Sequence, residues 1–142
     1  MFENAKIDIR VKLASLWTAL IFLYVYADYF DGLTSSTQEM VKNLETPLGP
    51  LTPELLLLFS VITIVPSSMI FLSIFLKPKI NRILNMVIPV LWSSMSVLLF
   101  VDTINSDWHK FYALFQFVEF IILIIIIYQA YKWPKKESKF DS

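Results

Sequence analysis

Four apolar stretches, each long enough to cross a bilayer as a helix, constrain this chain more than any other feature. A helix rises about 1.5 Å per residue, so roughly 20 residues span ~30 Å of hydrocarbon. Stretches at 13–30, 53–76, 83–102 and 109–131 have about that length. Hydrocarbon offers no partners to backbone N–H and C=O groups, so each stretch must pair its own, and a helix does this within one segment. The expectation is an all-α four-helix transmembrane bundle forming a single domain over residues 1–142. Composition agrees: hydrophobic residues make up 56% against 17% charged, which does not suit a water-soluble domain.

Helix punctuation supports the same division independently of hydropathy. Thr52 precedes Pro53 as an N-cap before a first-turn proline, Pro78 stops the second span, Ser106 and Asp107 open the fourth, and Pro134 follows it. Trp17, Trp108, Trp133, Tyr26, Tyr29, Tyr112 and Tyr131 fall near proposed ends, where amphipathic rings prefer the headgroup level, whereas Trp92 falls mid-span. In the connector from Gly32 to Leu51, Ser36 and Glu39 have capping-box spacing. Met40, Val41, Leu44 and Leu48 follow at helical intervals, and Pro47, Gly49 and Pro50 break the run. This predicts a short amphipathic helix between spans 1 and 2, lying on the bilayer or over the mouth of the bundle.

Charge placement predicts orientation. Lys6, Arg10 and Lys12 precede span 1, Lys77, Lys79 and Arg82 lie between spans 2 and 3, and Lys132, Lys135, Lys136 and Lys139 follow span 4. Only Lys42 and Lys110 fall on the other side, so ten cations against two place both termini in the cytoplasm. The basic start, apolar run and Val25-Tyr26-Ala27 also resemble a signal peptide cleaved before Asp28. The bulky Tyr and Phe residues there make a poor small-residue site, so the first span is expected to be retained.

Several function classes drop out. The 12 Lys and Arg balance 12 Asp and Glu, and no basic face or nucleic-acid motif is present, so nucleic acid is not an expected partner. With no cysteine and only His109, thiol exchange, thiolate metal sites and paired haem ligation have no residues to serve them. No metal site, cofactor or catalytic residue is expected.

Polar groups within the spans remain. Glu119 lies ten residues from His109, about 15 Å into the fourth span and near the midplane. A central acid costs on the order of 3 kcal/mol to insert, while the 13 Leu, Ile, Phe and Val residues from Phe111 to Ile127 each return about 0.3 to 0.6. Insertion tolerates the acid without explaining it. Tyr112, Gln116, Glu119 and Leu123 share one helical face, which is expected to turn inward. On span 1, Trp17, Tyr24, Asp28 and Asp31 share another face, and Asp102 matches Asp28 in depth on span 3 above Trp92, Met95 and Leu99. Glu54 and Asp107 occupy first turns, where the helix dipole favours an anion. Pro66 and Pro89 interrupt spans 2 and 3, releasing the carbonyls of Ile62 and Asn85 and opening space between these helices. Thr63, Ser67, Ser68, Ser93, Ser94 and Ser96 read mainly as small packing residues near those prolines.

The stretches RVKLASLWTALIFLYVYADYFDG and FVEFIILIIIIYQAYKWP, with the proline-bearing pair of spans between them, resemble an uncharacterised bacterial family of small four-helix membrane proteins, and more distantly the DoxX type. The resemblance implies architecture and a bacterial cytoplasmic-membrane setting; it implies no functional residues. The absence of cysteine separates the chain from thiol-oxidoreductase bundles of the vitamin K epoxide reductase type.

Together these features predict an outward-opening pocket bounded by Asp28, Asp102 and Glu119 and lined by Tyr24, Trp92 and Gln116. Carboxylates with aromatic walls suit a small cationic or amphipathic ligand, or protons in transit. The alternative is a structural or accessory subunit whose buried polar residues only join helices to one another. A membrane enzyme using an acid pair ranks last, since no nucleophile–base motif accompanies the acids. The partners implied are membrane lipids, a small-molecule ligand, and a second copy or another membrane protein.

Overall fold

The computed structural model describes residues 1–135; Lys136 and Lys139, counted above in the basic tail, lie outside the described residues. Five α-helices carry the fold: α1 (Ile9–Asp31), α2 (Ser35–Lys42), α3 (Pro53–Phe75), α4 (Pro78–Thr103) and α5 (Lys110–Tyr131). A 3-10 turn, Asp107–His109, leads into α5. With that turn included, α1, α3, α4 and α5 are, among the described residues, the four helices long and apolar enough to cross a membrane. The short turns alternate their directions, so both chain ends and the α3–α4 turn share one end of the bundle. The α2 segment and the α4–α5 turn share the other. This topology gathers Lys6, Arg10, Lys12, Lys77, Lys79, Arg82, Lys132 and Lys135 at the terminal end and leaves Lys42 and Lys110 at the α2 end.

Helix limits follow caps more closely than hydropathy. α1 begins at Ile9, ahead of the apolar stretch, because the Asp8 carboxylate accepts from the Arg10 backbone N–H at 2.9 Å and from its guanidinium at 2.9 Å. The Arg10 side-chain hydrogen bond holds the Asp8 carboxyl down from its ordinary 3.8 to about 2. A carboxyl depressed on folding stabilises above its unfolded value and loses that contribution as pH falls through the folded one. The first turn of α1 should therefore fray between about pH 4 and pH 2. Hydrogen exchange at Val11 and Lys12, whose amides donate to the Asp8 carbonyl, would report it; unchanged protection at pH 2 would contradict it. Thr52 accepts from the Leu55 N–H at 3.1 Å and Pro53 opens α3, as the sequence indicates.

The connector contains the expected short helix, in a different frame. Thr34 caps α2 by accepting from the Thr37 N–H, in place of a Ser36–Glu39 box. The helix ends at Lys42 because Leu44 adopts φ 54°, a left-handed conformation that no α-helix continues through. Leu44 and Leu48 consequently leave the helical face. Leu48 lies in the turn of a two-stranded hairpin, β1 (Glu45–Thr46) and β2 (Gly49–Pro50), that the helical spacing conceals. Val41, Leu44 and Leu48 are exposed, as suits a segment at a bilayer surface.

Within the bundle α1 and α5 form the central pair; α3 packs along α1 and α4 along α5, while α3 and α4 meet only sparsely. Leu13, Trp17, Leu20, Met69, Leu123 and Ile126 make the apolar core, which lies toward the terminal end. On α5 the buried positions Ala113, Gln116, Glu119, Leu123, Ile126 and Ala130 recur every three or four residues, so one face turns inward. Ile121, Ile124 and Tyr128 are exposed, as a lipid-facing surface requires. The Arg82 guanidinium donates to the carbonyls of Ala130 at 3.1 Å and Tyr131 at 3.4 Å, satisfying the open C-terminal turn of α5. Arg82→Met is expected to lower stability by about 1 kcal/mol, read by reversible unfolding in bicelles. A change within error would show that water caps this end equally well.

Candidate functional site

Two polar layers lie inside the bundle, and they differ in how fully their groups are paired. The layer nearer the terminal end is closed. Trp17 Nε1 donates to Asn85 Oδ1 at 2.7 Å, and Asn85 Nδ2 donates to Asn81 Oδ1 at 2.7 Å and to Ser73 Oγ at 3.3 Å. Asn81 Nδ2 donates to the Ser73 carbonyl at 2.6 Å. Trp17, Ser73, Asn81 and Asn85 are all fully buried, so this network ties α1, α3 and α4 together in a dry interior. In the sequence Asn85 stands out only for its freed carbonyl, and Asn81 does not stand out at all. The available signal is the spacing Asn81, Asn85, Pro89, which puts three buried residues on one face of α4.

The layer nearer the α2 end surrounds a half-open cleft of about 220 Å³. α1 contributes Tyr24 and Asp28, α4 contributes Trp92 and Ser96, and α5 contributes Tyr112 and Gln116. α3 supplies Ile62, Thr63, Pro66 and Ser67. Asp28 lies at the mouth, where Tyr112 Oη donates to its Oδ1 at 3.3 Å, a long and weak hydrogen bond. Beside it, Asp31 joins three elements: Thr37 of α2 donates to Oδ2 at 2.9 Å, and His109 Nε2 lies 3.5 Å from Oδ1. Ser106 Oγ pairs with His109 Nδ1 at 2.8 Å. Asp31→Ala should therefore release α2, seen as faster amide exchange at Thr37 and Gln38; exchange equal to that of the native protein would contradict this bracing role.

Deeper in, pairing fails. Tyr24 Oη, Gln116 Oε1 and both carboxyl oxygens of Glu119 are buried without a hydrogen-bond partner. Gln116 is 3% exposed and Glu119 0%. Glu119 does not itself line the cleft. It occupies the same inward face of α5 one turn below Gln116. A buried polar atom without a partner costs about 1 to 3 kcal/mol on mutational scales, so this cluster stands out against the paired layer below it.

Of the six residues singled out from the sequence, the fold brings Tyr24, Asp28, Trp92 and Gln116 to the cleft wall and sets Glu119 just beneath. Asp102 is exposed and stands apart from it. Steps of three residues fall about 60° short of a full turn, so the face carrying Ser96 and Leu99 has rotated away by position 102. Ser96 and Tyr112, read as a packing residue and a stripe member, line the cleft directly. Among the described residues no group of three or more His, Asp or Glu is placed to hold a metal ion.

An apolar exterior on four membrane-length helices, with polar side chains turned inward, defines an integral membrane protein. The chain belongs to a family of unknown function, DUF6326, whose model matches residues 2–139. This membership bears out the resemblance to an uncharacterised family. No curated protein and no solved structure matches the chain.

Proposed function

We propose that this protein sits with both termini in the cytoplasm, in a bacterial cytoplasmic membrane, and that its cleft opens to the outer side and binds a small cationic or amphipathic ligand. Proton passage through the same acids is one form of this activity. Orientation is supported by the cations gathered at the terminal end. Ligand binding is supported above all by the unpartnered polar atoms of Tyr24, Gln116 and Glu119 beneath an acidic, aromatic mouth. Asp28 would pair with a cation, Trp92, Tyr24 and Tyr112 would offer ring faces, and Gln116 would make the deeper contact with Glu119 one turn behind it.

A structural subunit is the competing reading, and the Trp17–Asn85–Asn81–Ser73 network is what favours it. That network accounts for helix joining without using Glu119. Dodecyltrimethylammonium binding to the protein in nanodiscs separates the two readings. Under the binding reading Asp28→Asn weakens affinity roughly tenfold, the scale of one charge contact, and Glu119→Gln removes its pH dependence while the protein still inserts. Unchanged affinity in both variants, or no saturable binding to the native protein, would refute the binding reading.

A further inference from the structure

The path into the cleft is set by how the helices are joined. At the terminal end Ser73 of α3 and Asn81 and Asn85 of α4 are tied through buried hydrogen bonds, so the two helices are held together there. Elsewhere α3 and α4 meet only sparsely, each packing mainly on its own neighbour, α1 or α5, and toward the α2 end the cleft lies between them. Pro66 and Pro89 are both fully buried, Pro89 one turn beyond Asn85 and Pro66 two turns before Ser73 on the wall of the cleft. Neither proline donates a backbone hydrogen bond, which loosens each helix between the buried ties and the cleft. The resulting slot has Thr63 and Ser67 on the α3 side and Met95 and Leu99 on the α4 side, all exposed and all lining the cleft. The Thr63 and Ser67 hydroxyls donate to carbonyls of their own helix, Ser60 at 3.0 Å and Thr63 at 2.8 Å. The slot edge thus presents little unpaired polarity to hydrocarbon, whereas the interior behind it keeps its unpaired oxygens at Gln116 and Glu119.

We propose that the cleft is loaded sideways from the bilayer through the α3–α4 slot, and that its ligand is a single-chain amphiphile. Its cationic headgroup lies among Asp28, Tyr24, Tyr112 and Trp92, and its hydrocarbon tail leaves between Ser67 and Met95. This rests on the binding role given to the cleft and specifies the ligand's class and route. The cleft is half-open, and Thr63, Ser67, Met95 and Leu99 on its lining are exposed at the bundle surface, so a tail attached to a head held inside has a way out through the slot. Water-soluble cations would gain the head contacts alone.

Photolabelling in nanodiscs tests this, using dodecyltrimethylammonium with a diazirine midway along its chain. Saturable labelling is expected at Thr63, Ser67, Met95 or Leu99. Excess unlabelled dodecyltrimethylammonium should abolish it, tetramethylammonium should compete at least tenfold less well, and Ser67→Trp should remove it. Ser67 is exposed, so the substituted protein should keep its native melting temperature, which checks the fold. Equal competition by tetramethylammonium with no label on the slot would overturn lateral entry and leave a ligand taken from water. Absence of any saturable label would overturn both this route and the binding role itself. A photo-cross-link joining two copies through Met95 would assign the slot to a second copy of the chain and overturn the proposal as well.

Discussion

Asn85→Leu is expected to be the most damaging single substitution in the bundle, lowering stability by about 3 kcal/mol. Interhelical hydrogen bonds in membranes are worth on average ~0.6 and at most ~1.7 kcal/mol each, and Asn85 makes two of them, with Trp17 and Ser73, besides its bond to Asn81 on its own helix. Removing the amide leaves Trp17 Nε1 without its acceptor and Asn81 Oδ1 without its donor, in a region where every participant is fully buried. Trp17→Phe removes one donor and keeps most of the ring, so its cost should be nearer 1 kcal/mol. The double substitution should fall short of the sum, because both members break the same bond. Ser94→Leu, at an exposed position on the same helix, should stay within about 0.5 kcal/mol and serves as the control. Steric-trap unfolding in bicelles reads all four variants. An Asn85→Leu protein of native stability would mean that the buried network contributes nothing net.

Glu119→Leu is expected to act in the opposite direction, raising stability by about 1 to 3 kcal/mol while abolishing binding in the cleft. Leucine is one atom shorter but wholly apolar, and it removes two carboxyl oxygens that no protein group satisfies. Its neighbours on the buried face, Leu123 and Ile126, already form apolar core. Gain of stability with loss of binding is the signature of a residue kept for a ligand. If the carboxyl instead joined helices, the same substitution would destabilise, and the two readings therefore differ in sign.

How much of this was legible from sequence depended on the length over which a physical signal repeats. The spans were plain because twenty apolar residues in succession have one solution in hydrocarbon, and Thr52–Pro53 and Pro78 marked their ends locally. The inward turn of Glu119 was legible because Gln116, Glu119 and Leu123 recur at helical spacing within an otherwise uniform stretch. Asn81 was missed since it lies among Lys79 and Arg82, where hydropathy indicates a polar turn; α4 in fact begins at Pro78 and buries the amide. Asp102 was drawn into the pocket by depth alone, and depth does not specify rotation about the helix axis. The α2 segment was assigned its helix correctly and its limits incorrectly, because the left-handed Leu44 leaves no mark in a pattern of apolar residues. Nor does a single sequence state which helices touch. The slot between α3 and α4 depends on α1 pairing with α5, a relation between segments far apart in the chain.

The two layers also divide labour. Paired groups near the terminal end fix α1, α3 and α4, and that rigid base leaves the other half free to hold unpaired oxygens above it.

An experimental structure in nanodiscs containing dodecyltrimethylammonium tests the central claim most directly. Headgroup density is expected in the cleft against Asp28 and Trp92, with Gln116 turned to it directly, Glu119 reached through Gln116 or one ordered water, and a tail emerging beside Ser67. Side chains packed across the cleft, with Glu119 hydrogen-bonded to a protein donor such as Tyr24 Oη, would contradict it.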